Sequence, residues 1–397
     1  MVSNQRGCEG FSFGYELGKR DHDFELLLMI LEAQKSAGEE GIIFFIGGYL
    51  RAMFELDSYR WESELDKLAK DNELKSKIAE LTWRSGMSDR AALRVLNLAK
   101  EGIIKASDFH VFGWGSVIAD LSEDVLQLWV EFLLDSDEET AVSIALDLFY
   151  FYYLRKESPY NIPKYLTLSL LTHKSLFTTQ LNMVRNQMDE FHWEGIGKRF
   201  VEAYPEDSIA LASVMLEHFG EDGTIIDNYH SKTLDVLNQI TKKHPDDIWG
   251  LVEKYLGPPF DSRAFDIRQW LRREAITLIP ATKLWEWVDK DVDNRAWYLA
   301  TFVPKVLFHS DDTICYAREL LVRYGDREDV RRNLMANFST EGWSRPASAH
   351  YKGKKASLLK FREEEDNDNV KRWIDEYVSD IEINIEYEKA REERRGY

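Results

Sequence analysis

Cysteine is nearly absent from these 397 residues: Cys8 and Cys315 stand far apart with no Cys-x-x-Cys pair, which excludes a disulfide framework and a thiolate metal site. Proline is also sparse, at nine, and so breaks long helical patterns only occasionally. The longest apolar run, Ile42 to Leu50, contains two glycines and is far shorter than the roughly 20 residues a spanning helix needs. The opening residues carry Glu9, Glu16 and Asp21 and lack the continuous apolar stretch of a signal peptide, so a reducing cytoplasm is the expected compartment. Basic residues are outnumbered 51 to 70, and the formal charge of -19 repels phosphate backbones and anionic membrane surfaces wherever no local patch reverses the sign.

Catalytic signatures are missing too. Gly195-Ile196-Gly197-Lys198 has His192 where a phosphate-binding loop needs its first glycine, and Gly113-Trp114-Gly115 lacks the third glycine of a dinucleotide fingerprint. There is no His-Glu-x-x-His and no Gly-x-Ser-x-Gly elbow, and Asp189-Glu190-Phe191-His192 is a single inexact match to the paired Glu-x-x-His of a di-iron bundle. His244-Pro245-Asp246-Asp247 and His309-Ser310-Asp311-Asp312 each group an imidazole with two carboxylates, but the acids sit where helix starts want them. No catalytic residue, metal or cofactor is assigned.

What the chain does have is helical periodicity. Apolar residues recur at helical spacing in Phe24, Leu27, Leu28, Leu31, in Ala92, Val95, Leu96, Ala99, and in Val370, Trp373, Ile374, Tyr377, Val378, Ile381, Ile385. Alternating strand patterns are scarce, and the pattern predicts an all-α chain of about 18 helices. Helix starts with cap oxygens and negative charge are read at Ser122-Glu123-Asp124, Ser136 to Glu139 with capping-box spacing, Pro205 to Ser208, Pro245-Asp246-Asp247 and Ser310-Asp311-Asp312. Pro205 to Gly220 and Pro245 to Gly257 both run from a Pro-acidic cap to a terminal glycine and start 40 residues apart, a period that suits two-helix repeats of the HEAT kind. The next similar start, Ser310, comes 65 residues on, so the expected fold is an irregular HEAT-like solenoid, with a compact all-helical domain as the alternative. The expected parts are an N-terminal extension 1–21, helical-repeat segments 22–160 and 161–337, and a basic-aromatic loop with a C-terminal amphipathic helix over 338–397. Breaks are marked near Asn161 to Ser175 and at Gly257-Pro258-Pro259. The helix Asp368 to Arg395 would cap the array, Trp373, Tyr377 and Ile381 inward and Asp375, Glu376, Asp380, Glu382, Glu386, Lys389 and Arg391 outward.

The strongest local departure from the bulk charge is Glu341 to Arg362. Six cations (Arg345, Lys352, Lys354, Lys355, Lys360, Arg362) stand against Glu341 alone, a net +5 interleaved with Trp343, Tyr351 and Phe361. Such a segment suits an acidic protein surface, and Trp343, Arg345, His350, Tyr351, Lys352, Lys354 and Lys355 are the candidate partner-binding residues. The plainer alternative is a solvated basic helix start facing the acidic run Glu363 to Asp366. The aromatic run Phe149 to Tyr153 wraps all round a helix and is read as core, as are Trp270, Trp285, Trp287 and Trp297. A protein partner is therefore expected, a membrane is not, and the two other readings are nucleic-acid binding through 341–362 and an all-α enzyme around His218, Asp222, Asp227 and His230.

Two stretches carry a family resemblance: Leu81-Thr82-Trp83-Arg84-Ser85-Gly86-Met87-Ser88-Asp89-Arg90-Ala91-Ala92, and Trp343-Ser344, Pro346, Ser348, His350-Tyr351 and Lys354 leading to Trp373-Ile374-Asp375-Glu376-Tyr377. Together they resemble the helical-repeat C-terminal regions of large bacterial proteins, some of them in multidomain anti-phage defence systems. The resemblance implies a sensing or scaffolding part, with the chemistry in an N-terminal effector that often carries an NTPase module. This sequence has no such segment, so it is expected to be either a stand-alone adaptor or a piece of a longer polypeptide, the second suggested by the glycine-spaced opening Gly7, Gly10, Gly14, Gly18.

Overall fold

Helical periodicity carries through to the structure, a computed structural model that describes residues 2–36, 43–155, 161–177, 187–220, 233–257, 261–273, 275–308, 314–340 and 347–395. Among these residues every regular element is helical and none is a strand. No described helix is long and apolar enough to cross a membrane. The chain divides into two compact units, the first holding the described residues through Leu211 with 233–236, the second the rest.

The first unit contains α1 (Val2–Arg20), α2 (Leu27–Ser36), α3 (Phe44–Leu56), α4 (Ser58–Leu68), α5 (Ile78–Ser85), α6 (Asp89–Lys100), α7 (Glu123–Leu134), α8 (Ala141–Tyr153), α9 (Lys164–Leu171) and α10 (Gln187–Ala203). Next come α11 (Ser208–Glu217) and α12 (Thr233–Lys243), each with residues in both units. The second unit continues with α13 (Pro245–Val252), α14 (Ser262–Arg273), α15 (Ala281–Asp289), α16 (Val292–Ala300), α17 (Tyr316–Tyr324), α18 (Glu328–Phe338), α19 (Ala347–Glu364) and α20 (Asp368–Arg395).

The residues expected as an N-terminal extension form α1, whose Gly10, Gly14 and Gly18 face α3. A Cβ added at Gly14 would lie 2.0 Å from the Phe45 carbonyl oxygen, and one at Gly48 would lie 2.0 Å from that of Phe11, so the two backbones touch where side chains would normally hold helices about 8–10 Å apart. The glycine spacing of the opening is thus a packing face. Beyond it, the first unit's core is built on buried tryptophans whose indole N–H groups find carbonyl or hydroxyl partners. Trp129 sits edge-on to Phe109 at 4.9 Å and donates to Ala92 O at 3.0 Å, and Trp61 donates to Ser85 Oγ at 2.9 Å. Of the aromatic run, Phe149, Tyr152 and Tyr153 are buried, while Phe151 stands on the surface.

In the second unit Trp249 and Trp287 cross edge-on at 6.0 Å, and Trp373 packs against Phe338 at 5.2 Å. Trp270, Trp285 and Trp287 are core residues, as expected, and Trp297 is half-buried. Along α20, Val370, Trp373, Ile374, Tyr377, Val378, Ile381 and Ile385 are all buried, and Asp375, Asp380, Glu382 and Glu386 are exposed on the other face.

Three local expectations change. Ser136 does not begin a helix: α8 starts at Ala141, because the Glu138 carboxylate turns away to accept from the Ala106 and Ser107 amides at 2.7 and 2.9 Å, closing the start of a 3-10 turn. Leu28 points to solvent, since Phe24 lies in a left-handed turn (φ 50°) ahead of α2 rather than within it. Residues 347–355, part of the expected basic-aromatic loop, are the first turns of α19; Ala347, Ala349 and the lysines are strong helix formers, and Gly353 alone weakens the run. The expected start at Ser310 lies outside the described residues.

Candidate partner-binding site

Helices α19 and α20 form an antiparallel hairpin held by a ladder of charge. Near its open end Glu392 accepts from the Ser348 amide and hydroxyl at 3.0 and 2.6 Å, capping α19; midway Lys355 meets Glu382 at 2.6 Å; at the closed end Arg362 grips both Asp375 oxygens at 2.5 and 2.8 Å. The Ser348 bonds hold the Glu392 carboxyl below its usual range, and Arg362 is pushed upward by its bond to Asp375. Lys355 and Arg362 thus face α20, not the run Glu363 to Asp366. Within that run Glu365 is buried, accepting from Arg318 of α17 at 2.7 and 2.8 Å and from the amides of Asp366 and Asn367 at 3.0 and 2.9 Å.

Of the candidate residues, Trp343 and Arg345 lie outside the described residues. His350 and Tyr351 are half-buried with rings 5.5 Å apart, and Lys352 is exposed. Lys352 and Lys355 line a groove between the two helices that also holds Glu382, Glu386 and Lys389, where the Lys355–Glu382 and Lys389–Glu386 pairs balance much of the charge. Lys354 turns to the other side of α19. Its Nζ donates to Phe338 O at 2.7 Å, satisfying a carbonyl at the end of α18, and lies 5.3 Å from the Tyr377 ring centre.

That side opens onto a cavity of about 460 Å³. Its wall is apolar, formed by Leu307, Phe308, Phe338, Leu358 and Phe361, and its rim carries Lys305, Lys354 and Lys360 with Glu364 as the single acid among the described residues. Phe308 is 58 % exposed beside Phe361, ring centres 5.7 Å apart. Next to Phe338 in sequence, Asn337 donates to Ala300 O and Val303 O at 3.1 and 2.9 Å, and Lys305 donates to Thr340 O and Oγ1 at 2.8 and 2.9 Å. Lys360 makes no ion pair among the described residues. The sequence signalled part of this wall, in Lys354, Lys360 and Phe361. It missed Lys305, Leu307 and Phe308, whose only mark is an apolar pair in a stretch without helical period.

Elsewhere, of the four residues of the enzyme reading, Asp222, Asp227 and His230 lie outside the described residues, as do His309 to Asp312, and only His218 is described. His244 Nδ1 stands 3.9 Å from Asp247, beyond hydrogen-bond reach, and no three His, Cys, Asp or Glu side chains converge among the described residues. The stretch Leu81 to Ala92 is a helix-turn-helix in which Ser88 caps α6 by accepting from the Ala91 amide at 3.0 Å. Comparison with protein families, curated proteins and solved structures gave no match.

Proposed function

We propose that this chain is a non-catalytic protein-interaction module, a scaffold or sensor built as an irregular HEAT-like array of helices that α20 caps. The repeat reading is supported by a recurring offset: Trp129 to Ala92, Tyr152 to Leu121, Tyr298 to Ala264, Asn337 to Ala300 and Trp373 to Arg331 are side-chain bonds to carbonyls 31 to 42 residues earlier, about one two-helix repeat. The binding reading rests on one observation, the cavity beside α19, in which an exposed Phe308 and three lysines stand at the edge of an otherwise acidic chain. On the resemblance of Leu81 to Ala92 and of the region around His350 to defence proteins, the setting we propose is anti-phage sensing, with a phage protein as the partner that triggers an associated effector.

Affinity capture from the native host, with and without phage challenge, tests both parts. The expected result is a protein that co-purifies with the wild-type chain and is lost from a Phe308→Ala, Lys360→Glu double variant. An unchanged co-purifying set would remove the cavity as the binding surface, and a partner independent of phage would remove the defence setting.

A further inference from the structure

We infer that the outer face of α20 from Asp380 to Arg394 pairs with the same face of a second copy of this chain, the two helices running antiparallel about a two-fold axis at Tyr387. This pairing is independent of what the cavity beside α19 binds. It follows from a stripe whose surroundings change along the helix. At its start Trp373 and Glu376 meet α18, through the indole bond to Arg331 O at 3.1 Å and the bond from the Arg331 guanidinium at 2.8 Å. Continued at heptad spacing, the same stripe runs through Asp380, Ile383, Tyr387, Ala390 and Arg394, all of them exposed. Ile383 is 69 % and Tyr387 66 % exposed, large apolar surface left to water on one line. Helix α19 covers the opposite side of α20, where it meets Asp375, Glu382 and Glu392, so it leaves this stripe bare.

The charges select the occupant and its direction. Asp380 lies one heptad before Tyr387 and Arg394 one heptad after it, and neither has an ion pair among the described residues. An antiparallel copy with its Tyr387 opposite this one brings each Asp380 to the other chain's Arg394, so one complementary contact forms twice. A parallel copy would instead set like charge against like at both ends. In the antiparallel register Ile383 lies against the other chain's Ala390, and the two tyrosine rings meet on the axis. An anionic membrane surface is a poorer occupant, because Glu382, Glu386 and Glu393 are exposed on the same helix and would be repelled. The stripe is about 21 Å long. A helix pair of that length buries less than the roughly 1,200 Å² of a standard interface, so the dimer is expected to be reversible.

Sedimentation velocity of the full chain tests this over about 1–100 µM, at about 0.15 M salt, where repulsion between two chains of net -19 is screened beyond roughly 8 Å. The expected result is a shift from monomer to dimer with concentration. Asp380→Arg and Arg394→Asp should each raise the dissociation constant at least about tenfold, since either one creates two like-charge contacts. An equimolar mixture of the two variants should re-form the dimer, because every contact is then again between opposite signs. Tyr387→Glu should abolish it by placing two carboxylates on the axis, and Lys360→Glu, off the stripe, should change nothing. Asp380 and Arg394 are exposed and unpaired, so unchanged urea midpoints are expected for their variants. A chain that stays monomeric throughout would overturn the inference and give the face to a different protein. A dimer that tolerates Tyr387→Glu, or charge variants that fail to associate when mixed, would overturn it as well.

Discussion

At the scale of single residues, the second unit depends on two carboxylates that the sequence presents as ordinary surface acids. Glu365 is buried in the turn between α19 and α20, and Glu376 on α20 receives the guanidinium of Arg331, itself 3 % exposed, at 2.8 Å. Arg331 also donates to Gly325 O and Asp326 O at 2.9 Å each, so truncating it would strand two carbonyls and leave Glu376 only its bond from Arg372 at 3.1 Å. Arg331→Ala is expected to cost ~2–4 kcal/mol, read from urea unfolding of the second unit. Burial alone would raise the Glu365 carboxyl, but bonds from Arg318 and the Asn367 amide outweigh it and hold the group below its usual range; Glu376 is lowered in the same way by Arg331. A depressed folded-state value means stability that is fully present above the unfolded value, near 4.5, and is lost as pH falls through the lower folded one. Glu365→Gln should therefore be less stable than wild type at about pH 7, and the gap should narrow progressively as pH falls below about 4.5, as wild type loses this contribution. A gap that stays constant across that window would mean the carboxylate charge is not what matters.

At the scale of elements, the glycine face of α1 gives a test in which neighbouring substitutions have opposite signs. Gly14→Ala forces a methyl group onto the Phe45 carbonyl and should destabilise the first unit by ~1–3 kcal/mol as α1 and α3 are pushed apart. Gly10→Ala meets nothing nearer than the Phe44 Cβ at 4.0 Å and should stabilise by up to ~1 kcal/mol through helix propensity alone. Urea midpoints of the two variants check the pair, and destabilisation by both would remove close approach as the cause. Much of this level was legible beforehand. The spacing of Ala92, Val95, Leu96 and Ala99, and of Val370 through Ile385, marked faces that are buried throughout. What escaped depends on partners distant in sequence: Glu138 caps a turn 31 to 32 residues away instead of its own helix, and Glu365 is drawn inside by an arginine 47 residues earlier. The candidate site was half legible for the same reason, since α19 carries its own signal of interleaved lysine and phenylalanine, whereas Leu307 and Phe308 join it only through tertiary packing.

For the whole molecule, the question is whether helices couple chiefly to their neighbours in sequence or all together. Trp373 is the sharpest probe, fully buried among Phe338 and Tyr377 and donating to Arg331 O at 3.1 Å. Trp373→Ala removes a large core side chain and strands that carbonyl, at a cost of ~3–5 kcal/mol. In a one-dimensional array stability is close to a sum of repeat and nearest-neighbour interface contributions, so this loss should stay local. Hydrogen exchange followed by mass spectrometry should then show faster opening in α17, α18 and α20, with α3 to α8 keeping their wild-type rates. A single cooperative core would instead transmit the loss, and amides in α3 to α8 would accelerate by the same factor as those beside the missing indole. The local outcome would also explain how one end of the chain could change on binding while the rest stays folded, as a scaffold or sensor requires.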